Sequence, residues 1–325
     1  MSKYFDKYII IAPGSDYGRA MWSDLENRPN IIFLEYPIYQ SNQLLKLIHH
    51  IHFSFGINNR ISLPYKSIWK KYYSINQITF DDKCKYCVIL PDVSACRIDI
   101  KFLEELQERK NVEVVLINVN VVDKKKKLID LRMHCFSKVF SFDKDDCRKY
   151  GYIYYPTIYS VQRLDYNQRV DTDAFFVGSY SVDRYKKLLR LFDLIKKANG
   201  KADFHIVGVP KSEKRVDGII YNVPMTYKEV LQNIQKTNCI VEIMNAGQQG
   251  LTLRAMEAIC YNKKVLTDNA TVKELSYYSK GYIQYKNPIT DIDLDYMLDR
   301  RKVDYEYKND FSPIHLIEYI EKEYT

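Results

Sequence analysis

No stretch of this chain approaches the roughly 18–20 consecutive apolar residues that a membrane-crossing helix requires. Its first eleven residues, MSKYFDKYIII, do not read as a secretory signal, because charges interrupt them and the apolar run is only strand-length. The expected location is the cytoplasm, with peripheral contact at the inner face of the cell membrane. A disulfide framework is also missing: the seven cysteines are odd in number and scattered. Cys84 and Cys87 have CxxC spacing, yet no second CxxC or His pair follows to complete a zinc site, and the run from Cys87 to Leu90 reads as a buried strand. With 46% hydrophobic and 28% charged residues, little room is left for long disorder. The net charge of +8 invites a nucleic-acid reading, but no basic stripe interleaved with aromatics and no RNP, zinc-finger or helix-turn-helix signature accompanies it. The one dense basic run, residues 124–127, reads as a solvated loop or a first helical turn. A basic surface also suits anionic lipid headgroups, where a polyprenyl-diphosphate acceptor would be confined.

What is present is an alternation of strands and helices over 325 residues, enough for two domains. Strands are predicted at residues 8–12, 31–34, 86–90, 112–118 and 139–142, and helices at 42–51, 63–73 and 99–109. Strands separated by helices predict a mainly parallel sheet covered on both faces. At residues 154–160 the Tyr155–Pro156 step disfavours helix, and the polar segment 162–173 reads as a linker. The pattern then restarts, with strands at 174–178, 204–208, 219–221, 239–244, 264–267 and 281–285. Helices are predicted at 183–198, with Leu188, Leu189, Phe192 and Ile195 inward, and at 227–237. Ser312 and Pro313 have the N-cap and N1 chemistry of a final helix over 314–324. No short-period repeat is visible.

The most informative segment is residues 239–269. The apolar run 239–244 ends at Asn245-Ala-Gly247. Gly250 then precedes an apolar-periodic segment in which Leu253, Met256, Ala258 and Ile259 share a helical face. Strand, glycine loop, helix and strand form one βαβ unit whose helix N-terminus offers unpaired N–H groups to an anion. Arg254 in the first turn is poorly placed for the helix dipole and well placed for a phosphate. Glu257 is placed to accept hydrogen bonds from a sugar or ribose.

The stretch GLTLRAMEA at 250–258, followed by NKKVLTDN at 262–269, resembles the donor-binding segment of GT-B glycosyltransferases, of the kind found in bacterial capsule, lipopolysaccharide and exopolysaccharide clusters. The resemblance implies an α/β chain with two Rossmann-like, doubly wound parallel-sheet domains, an interdomain cleft and a C-terminal crossover helix. The implied divisions are 1–160 for the acceptor domain, 161–311 for the nucleotide-sugar donor domain, and 312–325 for a helix returning to the first domain. Many retaining members carry a Glu-x7-Glu motif, whose second Glu meets the ribose while the first lies near the donor sugar. Here Glu257 matches the second position and Gln249 occupies the first, which removes the charge but keeps hydrogen bonding.

The same resemblance places donor contacts in three loops. In the first, Gly178 permits close backbone approach and Ser179 and Arg184 face the diphosphate. In the second, Val223 and Met225 flank the nucleobase. In the third, Gly250, Leu251, Thr252, Arg254 and Glu257 follow Gln249. Family members of this fold generally act without a bound metal, so no metal or other cofactor is expected. Asp291, Asp293 and Asp295 have Asp-x-Asp spacing but read as the acidic start of a surface helix. For the acceptor side, Asp16 is the first candidate base, with Asp92 behind it; capping is the commoner role for each. His49, His50 and His52 read as one polar helix face, and His134 and His205 as isolated. The expected reaction moves a sugar from a nucleotide-diphosphate sugar to a hydroxyl of a surface polysaccharide or lipid-linked oligosaccharide. Two alternatives stay open: a polyol-phosphate transferase, which would want a His in the donor loops, and a nucleotide-binding scaffold or regulator without catalysis.

Overall fold

The computed structural model describes residues 3–39, 42–120, 122, 126–163, 169–245 and 250–325. It divides into two compact units, Met1–Ser160 with Ser312–Thr325, and Val161–Phe311.

The first unit runs β1 (Lys7–Ile11), α1 (Asp16–Ala20), β2 (Ile31–Leu34), α2 (Gln43–His52), α3 (Phe55–Asn58), β3 (Tyr86–Pro91), α4 (Asp92–Ala95), α5 (Ile100–Gln107), β4 (Val112–Asn118), α6 (Lys126–Asp130), β5 (Lys138–Ser141), α7 (Lys144–Tyr150) and β6 (Ile153–Tyr154). The strands form one sheet in the order β2-β1-β3-β4-β5-β6, with every pairing parallel. A parallel sheet covered on both faces needs continuous apolar strands, and β3 is buried at every position. Alternate residues serve opposite cores: Ile9, Val88 and Val114 pack on one face, Ile10, Ile89 and Val115 on the other.

The second unit runs β7 (Thr172–Ser179), α8 (Val182–Lys197), β8 (Ala202–Val207), β9 (Ile219–Tyr221), α9 (Tyr227–Lys236), β10 (Thr237–Glu242), α10 (Leu253–Cys260), β11 (Lys264–Thr267), β12 (Ile283–Tyr285) and α11 (Leu294–Leu298). Its sheet order is β12-β11-β10-β7-β8-β9, again with every pairing parallel. Leu188, Leu191, Phe192 and Ile195 of α8 pack with Phe176, Phe204 and Val241; Leu189 is only partly buried, because it lies at the edge of that face. α10 packs on β10 and β11.

The last helix, α12 (Pro313–Lys322), belongs to the first unit. Ser312 caps it by accepting from Ile314 N, and Leu316 and Ile320 are fully buried against Ile10 and Ile89. Burial of two such side chains contributes about 1.5–3 kcal/mol each. The Glu321 carboxylate accepts from the backbone of Tyr4 and Phe5 and from the Tyr8 hydroxyl. Burial first, and then this carboxylate, push the Tyr8 phenol above its ordinary range.

Two local expectations are corrected. The predicted helix at 63–73 is a 3-10 turn over Lys66–Tyr72, because Pro64 restricts Leu63 and Tyr65 takes a left-handed φ of 60°. Residues 144–154, left without elements by the periodicity, form α7 and β6, with Asp143 capping one end of the helix and Gly151, φ 72°, the other. Of the linker 162–173, residues 164–168 lie outside the described residues, as do Lys124 and Lys125 of the basic run.

In each sheet the chain reverses its direction of travel once. The first unit winds outward from β1 and β3, the second from β7 and β10. Ligands of open parallel sheets bind at the carboxyl ends of the strands flanking such a reversal.

Candidate functional site at the reversal of the second sheet

The loops after β7 and β10 are stitched together at the reversal. Arg184, in the first turn of α8, donates through Nε to Ile243 O at 2.8 Å and through Nη1 to Ser179 O at 3.1 Å. Ser181 Oγ lies 3.3 Å from Asn245 Oδ1. Gly178 leaves room beneath this arginine: a Cβ there would stand 2.9 Å from Phe176 Cζ, pressing on that ring, and 3.4 Å from Arg184 Nη1. Lys187, one turn further along α8, pairs with Asp268 at 2.7 Å, and Asp268 also accepts from Met244 N at 2.8 Å.

Two carboxylates are buried below this edge. Glu242 ends β10 at 3% exposure and accepts from the hydroxyls of Thr252 and Thr267. Glu257, in α10, is 0% exposed; Tyr227 OH donates to one oxygen at 2.9 Å and Arg254 Nη1 to the other. Burial raises the pKa of both above the ordinary carboxylate value, opposed at Glu242 by the two threonines and Arg254, and at Glu257 by Arg254 and Tyr227. Arg184 feels Asp268 and Glu242, although burial outweighs them and lowers its pKa. A buried charge persists only when it is paired and hydrogen-bonded, so Arg184, Glu242, Arg254, Glu257 and Asp268 act as one electrostatic set.

Thr252 joins the set to the helix. It is the N-cap of α10, accepting from Arg254 N at 3.2 Å while donating to Glu242. Gly250 holds a φ of +95°, which an L side chain rarely adopts, and its carbonyl accepts from Asn269 Nδ2 at 2.9 Å. Leu251 is buried at 6%.

The sequence-predicted donor residues therefore fall into three groups. Gly178 and Ser179 end β7, Gly250, Leu251 and Thr252 lead into α10, Arg184 and Arg254 lie in the first turns of α8 and α10, and Glu257 lies one turn further along α10, all at the carboxyl edge. Arg254 and Glu257 point at each other, so the carboxylate expected to face a ribose is enclosed by protein. Val223 and Met225 follow β9, where Val223 is 55% exposed; Asn222 fixes this loop through a pair of bonds to Val209, 2.8 Å from its nitrogen and 2.9 Å to its carbonyl. Gln249 lies outside the described residues. Sequence reading missed Glu242, Asp268 and Tyr227. The available signal for the first was a single carboxylate inside an otherwise apolar strand.

On the first unit, Asp16 is exposed in the first turn of α1, capped by Ser15. Asp92 is fully buried, accepting from Val93 N at 2.8 Å, with Asn120 Nδ2 at 3.4 Å. The histidines of α2 are not one polar face. His49 is fully buried with Nε2 3.0 Å from Arg97 O, while His52 accepts from Trp69 Nε1 at 2.8 Å and faces Pro64 O at 2.7 Å. They face inward because the aromatic core under α2 needs polar partners for its indole and for a chain carbonyl. His134 and His205 are not isolated either: they pair with Glu104 at 2.7 Å and Asp203 at 2.9 Å. Asp293 caps α11, and the neighbouring aspartates are exposed. None of the seven cysteines is in a disulfide. Glu104, His134 and Cys135 are the one grouping with metal-ligand composition among the described residues. Burial and Glu104 push the Cys135 thiol up to about 11.

A cavity of about 700 Å3 opens beside the first reversal, lined by Gly14, Tyr36, Tyr39, Lys46, Leu47 and His50 among others. Arg97 closes its rim by donating to Pro13 O at 3.1 Å and meeting His50 Nδ1 at 3.2 Å. Gly14, φ +77°, admits no side chain here, since a Cβ would lie 2.2 Å from Tyr36 Cδ2.

Against protein-family models and curated protein sequences the chain finds no match. Solved structures do resemble it in fold. An alpha-glucosyltransferase in complex with UDP and a 13-mer DNA with a central A:G mismatch matches at TM-score 0.55 and 10% identity, over 97% of this chain and 99% of that one. The S. aureus MnaA–UDP structure matches at TM-score 0.51 and 11% identity, over 98% and 96%. A putative UDP-N-acetylglucosamine 2-epimerase from Listeria monocytogenes matches at TM-score 0.51 and 11% identity, over 100% and 97%. Two six-stranded parallel sheets in this chain order, matched over nearly whole chains, make the fold GT-B.

Proposed function

We propose that the chain is a glycosyltransferase that moves a sugar from a nucleotide-diphosphate donor, held by the second unit, to a hydroxyl of a surface polysaccharide or lipid-linked oligosaccharide. The observation that supports this best is the charged set at the reversal of the second sheet. Glu257 holds Arg254, and the carbonyls of Ser179 and Ile243 hold Arg184, at the carboxyl edge where ligands of such sheets bind.

As the glycosidic bond breaks, negative charge grows on the leaving diphosphate. A guanidinium has five N–H donors; Glu257 engages Nη1 of Arg254, and two backbone carbonyls engage Nε and Nη1 of Arg184. The remaining donors, with the α10 N-terminus, stabilise the transition state electrostatically, and their preorganisation by Glu242, Glu257 and Thr252 spares reorganisation at the moment of reaction. The scheme uses no metal, so activity is expected to survive EDTA. Asp16 takes the acceptor proton, being the more accessible of the two candidate bases. UDP is the first nucleotide to test, because two of the neighbouring structures carry it.

The test is a turnover assay with UDP-, GDP- and TDP-sugars and a lipid-linked acceptor, following both nucleotide release and sugar incorporation. Acceptor-dependent release, lost in Arg254→Ala, supports the reading. Isomerisation of the donor sugar without acceptor would replace transfer by epimerisation, and nucleotide binding without turnover would leave a scaffold.

A further inference from the structure

Helix α2 is apolar on the side that faces away from the protein. Its inner face is seated by Leu45 and His49, with Phe53 just beyond its end, all packed in the core under β1 and β3. His49 additionally anchors it to Arg97 O. The opposite stripe is Leu44, Leu47, Ile48 and Ile51, exposed at 64%, 54%, 47% and 48%. Their spacing of three and four residues is that of one helical face. A helix whose outer face met only water would carry charged residues there, so the stripe is a surface with an unmet partner.

The segment after α2 extends it. Ile57, Ile61, Tyr65 and Ile68 are exposed at 39%, 70%, 78% and 55%, so more than half of the exposed large hydrophobic side chains among the described residues fall within residues 44–68. This segment is tied to the end of α2 through Asn58 Nδ2 to His52 O at 2.9 Å and through the bonds of the His52 ring to Trp69 and Pro64. The apolar residues lie in a stretch of one charge sign. Between Tyr36 and Phe80 there is no Asp or Glu, while Lys46, Arg60, Lys66, Lys70 and Lys71 are all present. Of these five, Lys70 alone pairs with a carboxylate, Glu105, among the described residues.

We propose that the outward face of α2, together with residues 57–68, is a docking surface for a bilayer rich in anionic phospholipid. Apolar side chains with flanking cations and no acids are the composition of a helix that lies in the interface, its apolar face at the acyl boundary and its cations among the headgroups. A second copy of the same basic surface would instead repel itself, which is why the bilayer is the occupant. Docking through α2 also brings the cavity lined by Lys46, Leu47 and His50 to headgroup depth. The inference does not depend on which group the enzyme transfers.

The test is co-sedimentation of the full chain with vesicles of equal parts phosphatidylglycerol and phosphatidylcholine, and with phosphatidylcholine alone. Partition onto the anionic vesicles that falls as salt rises is expected, with little onto the neutral ones. Leu44→Glu with Ile48→Glu, and separately Ile61→Glu, are expected to lower it roughly tenfold or more, as is Arg60→Glu with Lys71→Glu. These positions are exposed, and Glu at 44 suits the first turn of a helix, so unchanged thermal unfolding serves as the folding control. Absence of binding by the unaltered protein, equal binding to both vesicles, or binding indifferent to all three variants would overturn the proposal. So would concentration-dependent dimerisation abolished by the Leu44/Ile48 change, which would assign the stripe to a second copy.

Discussion

The two reversals are built on the same sheet plan and filled in opposite ways. At β7/β10 the edge is crowded with charge held in place: Arg184 on two carbonyls, Glu257 between Arg254 and Tyr227, Glu242 between two threonines. Beside β1/β3 lies an open cavity, bounded by Gly14, the end of β2 and helix α2, with Arg97 held near it on Pro13 O and an exposed aspartate in the turn after β1. A preorganised charged edge suits a ligand whose charge is always the same, as a diphosphate is. An open, mixed cavity suits an acceptor. The contrast is physical before it is functional, and it can be broken experimentally because both tryptophans, Trp22 and Trp69, lie buried in the first unit. Tryptophan fluorescence reports that unit, while far-ultraviolet circular dichroism reports both.

The largest effect is expected at Glu242. Glu242→Ala strands the Thr252 and Thr267 hydroxyls and opens a cavity, costing on the order of 3 kcal/mol. The circular-dichroism transition should shift to lower urea while the tryptophan transition stays, and a shared shift would show that the units do not unfold separately. Acidification should then divide the units by sign. Burial lowers the His49 pKa from 6.5 to about 4, so its neutral form favours the folded state. That contribution, roughly 3 kcal/mol, is complete above pH 6.5 and is lost as pH falls towards 4. Glu242 and Glu257 have folded pKa values raised above 4.5, so between 4.5 and those values the folded state holds more protons, and their contribution grows as pH falls. Tryptophan-detected stability should decline on acidification, and His49→Gln should flatten the decline. Next in size is Arg254→Ala, expected to weaken nucleotide-diphosphate binding by about 1.5–3 kcal/mol, or roughly ten- to a hundredfold, in calorimetry. Smallest is Tyr227→Phe, which removes one bond to Glu257 and should lower the second unit's stability by about 1 kcal/mol.

Much of this fold was readable from residue order. Apolar runs such as 86–90 and 112–118 mark strands buried on both faces, and Ser312-Pro313 marks the start of α12. The misses have physical causes. Asp143 and Gly151 are good cap residues around α7, but that helix has too few apolar positions for periodicity to register. The stretch 63–73 has helical spacing, yet Pro64 and the left-handed Tyr65 turn it into a 3-10 segment. Site chemistry was harder. Gly250, Thr252, Arg254 and Glu257 stand together in one local pattern and could be picked out. Glu242 draws its meaning from Thr252 and Thr267, ten and twenty-five residues away, so in sequence it is one acid in an apolar strand. His49 likewise looks polar until Arg97, forty-eight residues later, supplies its carbonyl.

The central claim is that the donor nucleotide is held at the reversal of the second sheet and not at that of the first. The direct measurement is calorimetric titration of UDP, and then GDP and TDP, into the unaltered chain, Arg254→Ala and Gly14→Ala. Gly14→Ala forces a side chain against Tyr36 in the first unit's cavity. One nucleotide should bind the unaltered chain, bind Gly14→Ala equally well, and bind Arg254→Ala at least roughly tenfold more weakly. Affinity lost in Gly14→Ala and kept in Arg254→Ala would contradict the account and place the donor in the first unit.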